Sequence, residues 1–132
     1  QAEIYSEVAV RQSFTNFCGR LQAVSVFIKS VPDDSDGKLV FTILDEKQNI
    51  VAEKEIPFRE IVPEDYLTIR MDPPPDSRGG EFTIQLTTDS SDSQDMVIAL
   101  LTRGDYYPGE LIVDGVAKQR SDLLIHYVCA GP

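Results

Sequence analysis

Two alternating segments joined by a stiff connection constrain the fold of this chain more than any other feature. Apolar residues occupy every second position of the segment that ends at Met71 and of the segment that begins at Phe82. This period of two is typical of a strand with one buried face. Between the segments lie Pro73-Pro74-Pro75 and Gly79-Gly80. Because proline cannot donate to a β-ladder and glycine permits positive φ, the connection ends one strand and lets another begin.

Further alternating segments extend this pattern along the chain. β-branched residues dominate several of them, which favours strand over helix, and turn residues separate them at regular spacing. One helical turn is predicted at 59–61. Nine strands are predicted, at residues 7–14, 21–29, 38–44, 50–56, 66–72, 81–87, 96–101, 110–113 and 121–128. The sequence therefore predicts an all-β fold, a single antiparallel β-sandwich over residues 1–132, of the jelly-roll type with about eight or nine strands.

Length and charge limit the class of protein. A chain of 132 residues is long enough for one domain with a hydrophobic core. Its net charge of −10 argues against binding to nucleic acid or to anionic lipid. No apolar run approaches the ~20 residues of a membrane span, so direct membrane insertion is not predicted. The chain begins with Gln1 rather than Met, which predicts a processed chain or a domain excised from a longer protein.

The two cysteines leave two alternatives open. A disulfide between Cys18 and Cys129 would close nearly the whole chain, which is a favourable loop length. Two reduced, buried thiols are the other alternative. The sequence favours the reduced thiols, because nothing in it fixes an oxidising compartment.

The proline-rich connection also contains residues that we interpret as structural. Asp76 and Ser77 are typical of a turn entry, and Gly79 permits positive φ. We predict a turn-forming role for these three residues and no catalytic one.

An aspartate-rich loop at 33–37 has a structural and a functional interpretation. Asp34 and Asp36, followed by Gly37, form a fragment of a calcium-loop pattern. The distal glutamate of that pattern is missing, and aspartate is common in turns for local reasons. No cofactor is predicted, and a structural calcium ion at Asp34 and Asp36 is the functional alternative.

The residue types that catalysis needs are sparse. His126 is the single histidine, and it lies within a predicted strand, facing outward or onto a neighbouring strand. No nucleophile–histidine–carboxylate arrangement follows from the sequence. The acidic residues concentrate in turns, without the paired geometry of glycoside hydrolysis. We predict that the domain is not an enzyme.

Sugar binding usually needs exposed aromatic faces and a few polar side chains to hold hydroxyl groups. One loop and one strand supply such residues. The candidate ligand-binding residues are Tyr106, Tyr107, Arg103 and Asp105 in the loop, and Tyr66 and Arg70 on the strand.

Several turn and strand signatures carry a family resemblance. They are Gln12-Ser13-Phe14 followed by Leu21-x-x-Val24-x-Val26, the Pro-x-x-Asp76-Ser77-x-Gly79 connection, Tyr107-Pro108-Gly109-Glu110-Leu111 with Asp114-Gly115 and Asp122-Leu123, and the last strand Ile125-His126-Tyr127-Val128. Together they resemble a jelly-roll, carbohydrate-binding-module-like domain, found as an accessory part of bacterial glycosyltransferases and membrane proteins. The resemblance covers residues 8–128.

The resemblance implies a non-catalytic accessory module whose partner is a glycan or a neighbouring domain of the same chain. It also implies a membrane-associated parent protein. A structural or protein-interaction domain without a soluble ligand is the alternative, because the signatures report the fold rather than the chemistry.

Overall fold

Eleven antiparallel strands form two sheets in the described part of the chain. The computed structural model describes residues 2–4, 9–15, 20–32, 36–71, 80–90, 95–99, 111–113, 115–118, 123 and 125–129. The strands are β1 (Ala2–Ile4), β2 (Val10–Thr15), β3 (Leu21–Ser30), β4 (Lys38–Leu44), β5 (Ile50–Pro57), β6 (Asp65–Arg70), β7 (Glu81–Asp89), β8 (Val97–Ala99), β9 (Leu111–Val113), β10 (Val116–Lys118) and β11 (Ile125–Cys129), with a 3₁₀ turn at Phe58–Glu60.

Sheet I is organised around β3, the longest strand. One edge of β3 pairs with β6, while its other edge pairs with β11 along the first half and with β8 at the end. β1 extends the sheet beyond β8. Sheet II has the order β10-β9-β2-β7-β4-β5. The two antiparallel sheets confirm the prediction of an all-β antiparallel sandwich, and most successive strands alternate between the sheets.

Each of the nine predicted strands overlaps an observed one, and the helical turn predicted at 59–61 overlaps the 3₁₀ turn at Phe58–Glu60. Two strands, β1 and β10, were not predicted. Each has three residues, which is too short for an alternating pattern to be recognised. β10 is formed by a hairpin with β9, and Gly115 in its turn has a φ of 76°, a conformation that suits glycine.

The buried faces follow the alternation. Ile69 and Met71 are buried, and so are the alternating apolar residues of β7 from Phe82 onward. Phe14 of β2 stacks at 6.0 Å on Phe82 in its own sheet and at 5.7 Å on Tyr127 of the facing sheet. The contact between Phe14 and Tyr127 joins the two sheets in the core.

One residue of the predicted solvent-facing side of β7 is buried. Thr83 is 9% exposed, although its neighbours in alternation, Gln85 and Thr87, are partly exposed. β7 lies between β2 and β4, where Ser13 and Leu44 flank Thr83. Because β7 has a neighbouring strand on each edge, the side chains of those strands cover Thr83. The alternation of the residues of β7 alone does not show this.

A buried amide ties the last part of the chain to sheet II. Gln12 has no exposed surface. Its side-chain oxygen accepts a hydrogen bond from the Leu123 backbone N–H at 2.9 Å, and its side-chain nitrogen donates to the Ser13 carbonyl at 2.8 Å.

Gln12→Leu should lower the free energy of unfolding by about 1–3 kcal/mol, because it keeps the side-chain volume but leaves the Leu123 N–H without its acceptor. Urea denaturation measures this loss. Gln85→Leu is the matched control, since Gln85 accepts an exposed bond from the Arg11 side chain. Equal effects of the two substitutions would contradict the importance of the buried amide.

Gly37 sits in a close contact between the loop before β4 and the 3₁₀ turn. It is buried, and its carbonyl accepts a hydrogen bond from the Phe58 N–H at 3.0 Å. A Cβ placed on Gly37 would lie 2.5 Å from Cε2 of Phe58 and 2.7 Å from Cβ of Ser90. This position therefore requires glycine for space.

The reduced-thiol interpretation of the cysteines is wrong. Cys129 is disulfide-bonded, and no free cysteine is found among the described residues. The ladder places Cys129 opposite Leu21, at the end of β3 that follows Cys18 in the sequence; Cys18 itself lies outside the described residues. The pairing of β11 with β3, which spans most of the chain, is not visible in the spacing of the cysteines.

In the part of the chain that the structure describes, no helix has the length and apolar character to cross a bilayer.

Candidate functional site

The outer face of sheet I carries a group of aromatic, hydroxyl-bearing and basic side chains that could contact a ligand. Tyr66, Thr68 and Arg70 share one face of β6, since alternate residues of a strand point the same way. The ladder places Phe27, Ser25 and Ala23 of β3 beside them, and His126 and Val128 of β11 beyond. The residues of β3 that alternate with these, Val24, Val26 and Ile28, are completely buried in the core. We call this outward group of eight residues the platform.

Aromatic rings form one end of the platform. Phe27 meets Tyr66 edge to face, with ring centroids 5.3 Å apart, and the His126 ring is 6.4 Å from Tyr66 at an angle of 60°. The Tyr66 side chain is 43% exposed although Phe27 supports it. A partly exposed aromatic ring that packs against neighbouring rings can stack on an apolar ring face of a ligand.

Hydroxyl groups lie next to these rings. Ser25 Oγ and Thr68 Oγ1 are 2.6 Å apart and share one hydrogen bond. A hydroxyl has one donor and two acceptor positions, so the pair keeps one donor and further acceptor capacity. Ser25 is only 8% exposed, so a ligand would reach the pair through the partly exposed Thr68. The exposed guanidinium of Arg70 adds further donors at the other end of β6.

A groove borders the platform where the edges of the two sheets diverge. Its cavity has a volume of about 680 Å³. One wall is part of β5, the last strand of sheet II, and the other is part of β6. We call it the side groove, and its lining residues are Val51, Ala52, Glu53, Lys54, Thr68, Ile69 and Arg70.

The charged residues of β5 are divided between its two faces. Lys54 lies opposite the fully buried Phe41, so its side chain leaves β5 on the side of the sheet that faces the side groove. Glu53 leaves on the other side, where its carboxylate accepts a hydrogen bond from Thr42 at 3.1 Å. Lys54 therefore contributes a cation to the side groove, which Glu53 also lines.

An ion pair neutralises another charge of β5. The Lys38 ammonium and the Glu55 carboxylate are 3.0 Å apart. The hydrogen bond to Glu55 and the attraction of its charge raise the pKa of Lys38. Both side chains are well exposed, so this pair adds little to stability.

The structure brings together two of the residues predicted to bind a ligand. Tyr66 and Arg70 both belong to the platform. The other four, in the loop at 103–107, lie outside the described residues: Arg103, Asp105, Tyr106 and Tyr107.

The remaining predicted positions are only partly described. Asp36 is exposed, whereas Asp34 lies outside the described residues. Among the side chains described, no three histidine, cysteine, aspartate or glutamate residues come together as a metal site would need. The predicted turn residues Asp76, Ser77 and Gly79 also lie outside the described residues.

Sequence reasoning missed Phe27, Ser25 and Thr68 as members of a site, and it found no partner for His126. Alternation does place Phe27 and Ser25 on the outer face of β3, and the outward orientation predicted for His126 agrees with its exposure. The missing information was the order of strands in the sheet. Pairing of β3 with both β6 and β11 joins segments that are far apart in sequence.

A second cavity lies on the outer face of sheet II. Its volume is about 340 Å³, and Arg11, Gln48 and Thr83 contribute to its lining. The other lining residues are Ser13, Glu81 and Ile112. Because none of the described residues that line this cavity is aromatic, it is less suited to a sugar ring than the platform.

No protein-family model matches the chain, and no curated protein is significantly similar to it. The fold defines the class of the domain, an all-β antiparallel sandwich.

Proposed function

We propose that this domain is a non-catalytic carbohydrate-binding module, an accessory part of a bacterial glycosyltransferase or membrane protein. The observation that carries the proposal is the exposed Tyr66 ring, supported by Phe27 and placed beside the Ser25–Thr68 hydroxyl pair. The sequence resemblance to accessory jelly-roll modules points in the same direction and is the basis for the parent protein.

A pyranose ring has an apolar face and a rim of hydroxyl groups. The platform offers a matching arrangement, since Tyr66 provides an apolar surface and the neighbouring hydroxyl and guanidinium groups provide hydrogen bonds. These side chains project from paired strands rather than from loops. A site built on strands is held in place before the ligand arrives, which lowers the entropic cost of binding.

The composition of the platform favours binding over hydrolysis. Glycoside hydrolysis generally uses two carboxylates on either side of the scissile bond, and none of the eight platform residues is acidic. His126 contacts the Tyr66 ring rather than a carboxylate that would orient it as a base.

Tyr66→Ala is expected to weaken glycan binding at least about tenfold, because it removes the main aromatic surface on which a sugar ring would stack. A glycan array identifies the ligand, and calorimetric titration of that ligand measures the loss. Tyr66→Phe is the matched control, since it keeps the ring and removes the hydroxyl group, and it should retain most of the affinity. The absence of any glycan binding by the intact domain would refute the proposal.

A structural or protein-interaction domain is the second candidate function. It is favoured by Val128, which is 44% exposed beside Ala23 on the same platform. In that case a neighbouring domain covers the platform and the isolated domain binds no glycan. A longer chain that includes the neighbouring domain would then protect the β11 amides from hydrogen exchange, whereas a free glycan-binding platform would leave them unchanged.

A further inference from the structure

We infer that the glycan is acidic, and that the side groove holds its carboxylate between Lys54 and Arg70. This inference rests on the proposed function. It assigns a second role to β6, whose outward face belongs to the platform and whose edge forms one wall of the groove.

The groove has one cation on each wall. Lys54 belongs to β5 and Arg70 to β6, and both line the same cavity. Their opposite placement suits one anionic group that lies between the two strands. A guanidinium can bind a carboxylate through two parallel hydrogen bonds, and an ammonium supplies an adaptable point charge.

Neither cation is neutralised by another described residue. Of the acidic groups of β5, Glu55 pairs with Lys38. Glu53 keeps its charge and also lines the groove, but its carboxylate accepts a hydrogen bond from Thr42 on the opposite face of β5. Lys54 and Arg70 form no ion pair or side-chain hydrogen bond with the residues the structure describes. An incoming carboxylate therefore does not have to displace an internal partner described in the structure.

The groove and the aromatic platform can contact one ligand. Tyr66, Thr68 and Arg70 follow each other on one face of β6, and the four residue steps from Tyr66 to Arg70 span about 13 Å. An extended oligosaccharide along β6 can therefore stack one ring on Tyr66 and place an acidic ring next to Arg70. The hydroxyl of Thr68 lies between the two contacts.

The negative net charge of the chain limits which acidic glycans can bind. A net charge of −10 repels a dense polyanion. A single acidic group between two cations experiences mostly the local attraction, because the more distant charges are screened over about 8 Å at physiological ionic strength. We therefore assign the groove to an isolated acidic sugar within an otherwise neutral oligosaccharide.

Calorimetric titration with matched oligosaccharides tests this assignment. Two pairs differ by one acidic sugar: sialyllactose with lactose, and glucuronosyl-xylotriose with xylotriose. The methyl ester of each acidic member removes the charge and keeps the ring. A sulfated lactose separates a requirement for a carboxylate from a requirement for any anion. At least one acidic member should bind about tenfold or more tightly than both its ester and its neutral partner, and raised ionic strength should reduce the difference.

Variants locate the effect. Lys54→Gln should reduce the preference for the acidic member about tenfold and leave binding of the neutral member unchanged. Arg70→Gln should reduce the preference by a similar factor and also weaken binding of the neutral member, because Arg70 belongs to the platform. Lys47→Gln and Arg59→Gln are the matched controls, because both cations are exposed and neither lines the side groove. Thermal unfolding of all four variants checks that each one folds.

The outcomes separate this inference from the proposed function. Equal binding of acid, ester and neutral sugar, with a loss in Tyr66→Ala, would overturn the acidic assignment and keep the carbohydrate-binding function. A preference for acid that survives Lys54→Gln and Arg70→Gln would also overturn the assignment, because the acid then binds elsewhere. No binding of any glycan, on the array or by titration, would overturn the function itself.

Discussion

Gly37→Ala is expected to lower the free energy of unfolding by about 1–3 kcal/mol, as measured by urea denaturation. The added methyl group would lie 2.5 Å from the Phe58 ring and within 2.9 Å of the Ser90 side chain. Phe58 is a fully buried core residue, so its ring cannot simply move into solvent. Either the 3₁₀ turn or the end of β7 has to shift.

Two comparisons separate this packing effect from a general effect of replacing glycine. Gly115→Ala meets no atom within 4 Å but places alanine at a φ of 76°, so it should cost only the backbone term of about 1 kcal/mol. Combining Gly37→Ala with Phe58→Leu should cost less than the sum of the single substitutions, because the smaller side chain relieves the contact. Strict additivity would show that the Phe58 contact is not the cause.

Cys129→Ser is expected to lower the free energy of unfolding by about 2–5 kcal/mol, because the disulfide restricts the unfolded chain. The loss can be measured by urea denaturation without reductant. The effect should be large because Cys129 ends β11, the strand that shares an edge of β3 and holds His126 on the platform.

The intact domain in the presence of a reductant should reproduce the stability of Cys129→Ser, and the variant should not respond to the reductant. Cys18→Ser should have the same effect, since the chain contains two cysteines. An unchanged urea midpoint upon reduction would contradict a stabilising disulfide. Disulfides persist in oxidising compartments, so a large loss would also support a domain that works outside reducing cytosol.

Much of the fold could be predicted because alternation is a local signal. The segments before Met71 and after Phe82 show which of their residues are buried, and the structure agrees at Ile69, Met71, Ile84 and Leu86. The failures occurred where the environment depends on neighbours in the sheet. Thr83 is buried by its position in the sheet, and the disulfide depends on the pairing of β11 with β3.

The candidate site was less predictable than the fold. Tyr66 and Arg70 could be selected because an exposed aromatic residue and a cation on the same strand face are visible in the sequence. Phe27, Ser25 and His126 join them only through ladders between distant segments, which no local pattern encodes. Lys54 and Arg70 line the same groove only because β5 and β6, the edge strands of the two sheets, lie next to each other with a gap between them.

The double pairing of β3 also determines the order in which this domain can assemble. β3 meets β6 about forty residues later in the chain, but its partner on the other edge, β11, is synthesised about a hundred residues after it. Contacts this distant slow folding, because the loop has to close before they form. During synthesis, the edge of β3 that pairs with β11 therefore stays unpaired until β11 has been made. This edge includes Val24 and Val26, which are buried in the folded domain. A chaperone or a neighbouring segment that covers this edge would protect the nascent domain from strand-to-strand aggregation.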